Sequence, residues 1–333
     1  MANTVNGVLP ALVWRGGTEA AVDDVPRPAA RDGWARVRVG YAGLCGTDLH
    51  ILGGEHSRAQ PGIVIGHEFV GRLDEPAAGL PAGTPVFVNP MVHCGVCDAC
   101  TRGLVNICTS LTSVGIDYPG AACPEVVVPD YGLYPLPPAM PLTDAALVEP
   151  LAVGVRAVRR GEVRLGDRVH VIGAGPIGCI VGMLAGMAGA VEVTVSEPSA
   201  FRREQAAALG LTVVDGGAAP TADVVFDATG HPAAAPEITS WVRPGGRIVL
   251  VGAYPPAPQQ AALLSIMFAE LTLVGTRIYT RPDILAAIEL IATGRVDVSG
   301  FVTAVVPLRD AAKAVDRLRA GTALKLLLDP EDG

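Results

Sequence analysis

Arg168-Val-His-Val-Ile-Gly173-Ala-Gly175-Pro176-Ile177-Gly178 is the stretch that decides the fold. Apolar residues alternate up to Gly173, as in a strand, and a helical pattern then runs from Pro176 to Gly189. The turn between them carries glycines in G-x-G-x-x-G spacing, a pattern that has meaning only between a strand and a helix. The first glycine makes a tight turn and the second lets backbone approach a pyrophosphate. The third permits close helix–strand packing, and the helix start at Pro176 and Ile177 faces the anion.

The next strand, Val191 to Ser196, runs into Glu197. A carboxylate at that place can accept hydrogen bonds from the ribose of NAD and repels the extra phosphate of NADP. Arg202 borders the same ribose position, and with Arg203 it reads as the solvated face of a helix. A dinucleotide site for NAD is therefore expected from Gly173, Gly175, Pro176, Ile177, Gly178, Glu197 and Arg202.

Outward from this turn, strands and helices alternate. Helices are expected at Leu151–Arg160, Phe201–Gly210, Arg281–Gly294 and about Asp310–Ala320, and strands at Asp223–Asp227, Arg247–Val251 and Thr272–Gly275. Alternation of this kind describes an α/β, doubly wound parallel sheet. Before Glu149 the character differs: short β-like runs (Ala35–Val39, Gly62–Gly66, Pro85–Asn89, Glu125–Pro129) lie between glycine and proline turns. That is a β-rich unit.

The 333 residues suffice for two such domains, and with half of them hydrophobic and 17% charged the chain is a folded globular protein. A net charge of −8 without a basic stripe argues against nucleic acid. No apolar run is long enough for a membrane span, and Met1–Leu12 does not read as a secretory leader. A soluble cytoplasmic protein is the expectation.

Of the seven cysteines, four crowd into Cys94-Gly-Val-Cys97-Asp-Ala-Cys100 and Cys108. Four thiolates on tight turns close a tetrahedral shell, which reads as structural zinc. An iron–sulfur cluster is the other soft-metal option, but nothing else in the chain suggests electron transfer. Other ligand types are dispersed: Cys45, the pair His67-Glu68, and Glu149. Singly each reads as an ordinary buried residue; together, on glycine-flanked turns, they form a candidate zinc site with one open, catalytic position.

Cys45-Gly-Thr-Asp-Leu-His50, Gly66-His67-Glu68, the four-cysteine lobe, Glu149-Pro-Leu151 and Gly173–Gly178 together resemble the zinc-containing medium-chain dehydrogenases. The resemblance runs nearly end to end and is nearest the polyol branch of sorbitol, threonine and 2,3-butanediol dehydrogenases. It implies a GroES-like catalytic domain, residues 1–150 with 281–333 returning to it, and an inserted Rossmann domain, 151–280. It further implies a small-molecule alcohol substrate, two zinc ions per subunit, NAD, and a homodimer or homotetramer.

On the same resemblance, Thr47 receives the substrate proton and passes it through the cofactor ribose to His50, while Asp48 supports His67. Cys45 and His67 are metal ligands, and Glu68 and Glu149 compete for the third place. Glu149 stands where many simple alcohol dehydrogenases have a cysteine. With 5% aromatics overall and a polar, flexible segment Gly53–Arg58, the expected substrate is a secondary alcohol with a neighbouring polar group: a diol, polyol or amino alcohol. The match departs at Gly120-Ala-Ala-Cys-Pro-Glu125, which lacks the family's aromatics and holds Cys123, and at Arg277, displaced relative to Tyr279. Two rivals share the glycine turn: a zinc-free enoyl or quinone reductase, and a dinucleotide-binding protein without catalysis. The reductase would not need Cys45, His67 or the cysteine lobe.

Overall fold

The computed structural model describes residues 7–214 and 222–331. The chain divides into two units, one formed by Met1–Glu149 with Ile288–Gly333 and the other by Pro150–Ala287.

The first unit begins with β1 (Val8–Gly16) and β2 (Glu19–Pro26), then β3 (Trp34–Leu44), α1 (Gly46–Leu52), β4 (Glu68–Leu73) and β5 (Pro85–Val88). After β6 (Met91–Val92), α2 (Asp98–Thr101) and β7 (Thr112–Ser113) come β8 (Glu125–Pro129), β9 (Leu133–Pro135) and α3 (Leu142–Ala145). The helix α4 (Val148–Gly161) carries the chain into the second unit: β10 (Arg168–Ile172), α5 (Pro176–Met187), β11 (Glu192–Ser196), α6 (Ala200–Ala208), β12 (Thr212–Val214) and β13 (Ala222–Asp227). There follow β14 (Val242–Leu250), α7 (Leu263–Phe268), β15 (Thr272–Gly275) and α8 (Arg281–Ala292). The chain then returns to the first unit with β16 (Val302–Pro307), α9 (Ala311–Arg319) and β17 (Lys325–Asp329).

The first unit is built on a sheet of order β16-β17-β3-β4-β5-β9, with β8 paired to β3. The β16–β17 pair is parallel, whereas β17, β4 and β8 each run antiparallel to their neighbour β3. One face of it holds Val37, Val39, Phe69, Leu73, Val126, Leu326 and Leu328, all at most 1% exposed. The period-two alternation of these strands drives that burial. The hairpin β1–β2 was not legible as such: Pro10 interrupts the first strand, and the second is polar and only half-buried. Conversely, Gly62–Gly66 forms no strand. It runs along β1 through the isolated bridge Val13–Val64 and the backbone bonds Trp14 N–H to Ile63 O, Gly62 N–H to Trp14 O and Ile65 N–H to Leu12 O. Gly62 and Gly66, at φ +95° and +97°, leave the extended conformation at its two ends.

In the second unit the order β12-β11-β10-β13-β14-β15 is wholly parallel, a doubly wound sheet in which the strand order reverses beside β10. Its strands bury apolar side chains such as Val169, Val171, Val195, Val225 and Ile248, and they also enclose His170 of β10 and Thr194 of β11, whose side chains hydrogen-bond each other at 2.8 Å. Phe226 on β13 is fully buried, and Gly161 ends α4 against its ring, with no space for a β-carbon. Among the described residues no helix is long and apolar enough to cross a membrane.

Phe226→Ala removes a ring from this closed packing. It is expected to destabilise the protein by about 3–5 kcal/mol, read as a lowered urea midpoint with little change in m-value.

Candidate active site

Cys45 is the N-cap of α1, extended at φ −124° and ψ 163°. Its backbone N–H donates to Asp48 Oδ2 at 2.8 Å, so the capping carboxylate also fixes the thiol's direction. The other oxygen, Oδ1, lies 3.2 Å from His67 Nδ1, and both side chains are buried. Asp48 thus engages one ring nitrogen and leaves Nε2 for a metal, the usual carboxylate–histidine arrangement. Glu68 is the first residue of β4, paired with Gly43 on β3. The ligand atoms of Cys45, His67 and Glu68 all lie within 4.8 Å of one another. Cys45 sits at a helix N-cap and Glu68 at a strand start rather than on turns, whereas His67 lies in the irregular segment between Gly66, at φ +97°, and β4. Glu149, in the first turn of α4 and 7% exposed, is not in that set, although it lies close enough to Lys325 to act on its charge.

Lys325 of β17 is the residue that sequence reasoning missed. Its ammonium, 3% exposed, pairs with Glu68 Oε2 and donates to the carbonyl of Leu44 at 3.2 Å. Burial alone would depress its pKa, but Glu68 and then Cys45 hold it above the ordinary lysine value. A signal existed: a lone charge inside Ala323-Leu-Lys-Leu-Leu-Leu328 must have a buried partner. Burial and the Glu68 charge push the Cys45 thiol up. Burial opposes charging of His67, yet Asp48 and Cys45 raise it well above the usual imidazole range. A divalent cation among these groups reverses that balance, favouring thiolate and neutral imidazole. The donor set of sulfur, nitrogen and carboxylate oxygen suits zinc.

Thr47 is half-buried, with its hydroxyl 3.9 Å from Cys45 Sγ. His50 lies one turn further along α1, exposed, with Nδ1 2.8 Å from Glu55 Oε2. The segment Gly53–Arg58 is tied down rather than loose. His56 Nδ1 accepts from the backbone of Arg58 and Ala59, and Arg58 donates to the Leu111 carbonyl at 2.6 Å and pairs with Asp117 at 3.4 Å.

In the cysteine lobe, Cys97 caps the short helix α2, and all four sulfurs lie within 4.8 Å of one another, unlinked. The Sγ atoms of Cys94 and Cys108 are 3.5 Å apart, and those of Cys94 and Cys100 4.0 Å. Four sulfurs at ~2.3 Å from a tetrahedral zinc would be ~3.8 Å apart, so the spacing fits an ion rather than a disulfide. Backbone N–H groups point at the sulfurs: Cys97 N at Cys94 Sγ, Cys94 N and Ser110 N at Cys108 Sγ, each 3.4 Å away. Those of Thr109 and Cys100 lower Cys97 to about 6, whereas burial and the Cys97 sulfur push Cys100 up to about 12. A cation is what lets all four ionise together. Cys123 and Cys179 lie outside both sets, buried, with their thiols pushed up to about 12 by desolvation.

In the second unit the glycine turn differs in kind from residue to residue. Gly173 has φ +95° and packs on Thr229; a β-carbon on Gly178 would lie 1.9 Å from the Gly173 carbonyl. A β-carbon on Gly175 would meet nothing within 4 Å, so the space before the α5 N-terminus, which opens at Pro176 and Ile177, is free for a ligand. Glu197 Oε2 accepts from Ala174 N at 2.9 Å and Oε1 from Ser199 N at 3.0 Å, which holds the carboxylate beside that turn. Arg202 Nη1 is 4.0 Å from Glu197 Oε2. Arg203 is not a free solvated cation: it donates to the carbonyls of Glu197 and Pro198.

Family comparison agrees with this geometry. Residues 31–138 match the alcohol dehydrogenase GroES-like domain, and residues 176–293 match the zinc-binding dehydrogenase domain. The chain is 38% identical over 302 residues to the 2-dehydro-3-deoxy-L-galactonate 5-dehydrogenase of Pseudoalteromonas atlantica, covering 86% of this chain and 88% of that one. An alcohol dehydrogenase of Escherichia coli CFT073 solved with NADH superposes with a TM-score of 0.90 at 26% identity, covering 97% of this chain and 100% of the other. A zinc-binding dehydrogenase of Sinorhizobium meliloti 1021 solved with NADP does so with 0.90 at 27% identity, covering 97% and 99%.

Lys325→Met leaves the Glu68 carboxylate buried without its partner. The zinc-free protein is expected to lose about 3–5 kcal/mol of stability, and Glu68→Gln in that background should recover most of it, both read by urea unfolding.

Proposed function

Since the chain belongs to the zinc-binding alcohol dehydrogenases with a GroES-like domain, we propose that it oxidises a secondary alcohol of a polyol or sugar acid with NAD, using one catalytic and one structural zinc per subunit. The observation that carries this is the pairing of two unlike metal sets in one unit: an open Cys45–His67–Glu68 set and a closed four-sulfur set. The enoyl or quinone reductase and the non-catalytic dinucleotide binder have use for neither.

Cys45, His67 and a carboxylate would hold the zinc, which would supply Lewis acidity at the substrate oxygen, and a bound nicotinamide would supply the hydride acceptor. The chain's own residues do the rest. Asp48 orients His67 and, through the backbone, Cys45. Lys325 holds Glu68 and balances its charge, so that Glu68 serves as an exchangeable third ligand and Glu149 is left to receive a second substrate hydroxyl or an amine. Thr47 would relay the substrate's hydroxyl proton, passing on its own as it accepts one, and exposed His50, paired with Glu55, would release a proton to solvent. The four-cysteine lobe braces its loop and takes no part in the chemistry.

Gly173, Gly175 and Gly178 would hold the nucleotide, with the α5 N-terminus at Pro176 and Ile177 supplying N–H groups to its pyrophosphate. Glu197 receives the adenosine ribose, with Arg202 at its border. The substrate class follows from the carboxylates around the metal and from the relative named a 5-dehydrogenase of a deoxygalactonate, a hydroxylated acid. We place the enzyme in the cytoplasm as a homodimer or homotetramer. Support for self-association comes from Leu263, Leu264, Met267 and Phe268, each at least 62% exposed on α7 beside the sheet's outer strand β15.

A site that hydrogen-bonds a second hydroxyl rejects the analogue lacking it. For the zinc-loaded protein, kcat/KM for 2,3-butanediol, sorbitol, threonine or a galactonate should exceed that for 2-butanol and ethanol by more than about a hundredfold. Equal turnover of the simple alcohols would overturn this role for Glu149, and a fully active preparation with one zinc, or with iron, would overturn the metal assignment.

Glu197 sets the cofactor. A like charge beside the added phosphate should make kcat/KM for NAD exceed that for NADP by more than about tenfold; equal use would mean that Arg202 has taken the ribose position.

A further inference from the structure

At the carboxyl edge of the parallel sheet, Asp227 is wholly buried at the end of β13. Its Oδ1 accepts from the backbone N–H and the hydroxyl of Thr229, at 2.8 and 2.6 Å, and its Oδ2 accepts from the hydroxyl of Tyr254. Its backbone carbonyl accepts from the N–H groups of Val251 and Gly252, each at 2.9 Å. Thr229 in turn packs its methyl on Gly173, where a β-carbon would lie 2.6 Å away. Asp227 therefore ties the turn after β13 to the turn after β14 through its carboxylate and its carbonyl, and reaches the glycine turn after β10 indirectly, through Thr229.

These turns leave no slack. A β-carbon on Gly252 would lie 2.1 Å from Gly230 N, and one on Gly230, at φ +60°, would lie 2.5 Å from the Ala253 carbonyl. Beyond Tyr254 the chain runs into Pro255-Pro256-Ala257-Pro258, whose fixed φ angles make it a stiff arm. The hydroxyl of half-buried Tyr254 is the side-chain tie that holds the base of this arm to the sheet.

Topology indicates what the arm faces. In the order β12-β11-β10-β13-β14-β15, Glu197 follows β11 on one side of the glycine turn, and Asp227 and Tyr254 follow β13 and β14 on the other. Ligands of such sheets lie outside the carboxyl ends of the strands, across the point where strand order reverses. With the adenosine ribose at Glu197 and the pyrophosphate at Gly175, the nicotinamide half is left for the β13–β14 side. We propose that Tyr254 is a positioning residue for that half: clamped to Asp227, it fixes the turn after β14 as a wall against the nicotinamide and so sets the rate of cofactor release. The proposal rests on the NAD-linked reading above.

Tyr254→Phe removes one oxygen from a half-buried ring and keeps its volume. NADH and ADP-ribose, which lacks the nicotinamide, are titrated separately by calorimetry, and NADH release is followed by stopped-flow fluorescence. The expected result is an approximately tenfold weaker NADH Kd, carried by faster release, with ADP-ribose affinity within twofold of wild type. Unchanged NADH affinity and release overturn the proposal. Equal losses for both ligands also overturn it, because they place the effect in the glycine turn or the sheet as a whole. If the variant's thermal midpoint falls sharply, Tyr254→Trp, which keeps a donor on a large ring, must retain the NADH affinity that Tyr254→Phe loses, or the proposal fails. A wild-type protein that binds neither ligand overturns the cofactor reading itself, a result distinct from wild-type binding with no change in the variant.

Discussion

A full positive charge buried beside Cys45, His67 and Glu68, the candidate metal donors, is the constraint around which the first unit is arranged. Lys325 cannot be desolvated there without Glu68, and Glu68 cannot be held beside Cys45 and His67 as a charge without Lys325. Lys325 lies on β17, which pairs with β3, the strand that leads into Cys45 and borders Glu68 on β4. The last strand among the described residues thus runs beside the strand that leads into Cys45. Residues before Glu149 hold the metal donors but lack the counter-charge that keeps one of them in place. The detour through the nucleotide unit and back is therefore a condition for the site to be complete.

The two metal sets show how the same ligand chemistry serves opposite ends. In the lobe, four sulfurs close the shell, and N–H groups from the surrounding turns satisfy them on their outer side. Such a site has no position for a substrate and contributes by fixing a loop that has little apolar core: Val96 is 81% exposed and Ile107 43%. In the other set, only three donors converge, and one of them is shared with an ammonium. An incomplete, electrically balanced shell is what an exchanging substrate requires.

The nucleotide unit solves a steric rather than an electrostatic problem. Its turns approach so closely that glycine is required at Gly178, Gly230 and Gly252, and Asp227 supplies the hydrogen-bond acceptors that the crossing turns need. Rigidity at the carboxyl edge of the sheet is the preorganisation that dinucleotide binding uses. Glu197 follows the same logic, its carboxylate being anchored by two backbone N–H groups beside the glycine turn.

Features whose chemistry is local were legible in the sequence by itself. The glycine turn, the four-cysteine spacing and the alternation of strand and helix after Glu149 all depend on neighbours along the chain, because phosphate cradles, tetrahedral sulfur shells and strand-helix periodicity act over a few residues. His67-Glu68 and Cys45 could be named as donors for the same reason. Tertiary structure alone decided which donors converge, since that depends on strand pairing. It gathered Cys45, His67 and Glu68 without Glu149, and it brought Lys325 to Glu68 across 257 residues of sequence. It also joined Tyr254 to Asp227 and tied down Gly53–Arg58 through Leu111 and Asp117. The apolar run Gly62–Gly66 has the composition of a strand but forms an isolated bridge to β1 instead, since composition does not carry the positive φ of its flanking glycines. A buried charge leaves no periodic trace of its partner; only the folded sheet, which must neutralise every charge it encloses, reveals where that partner lies.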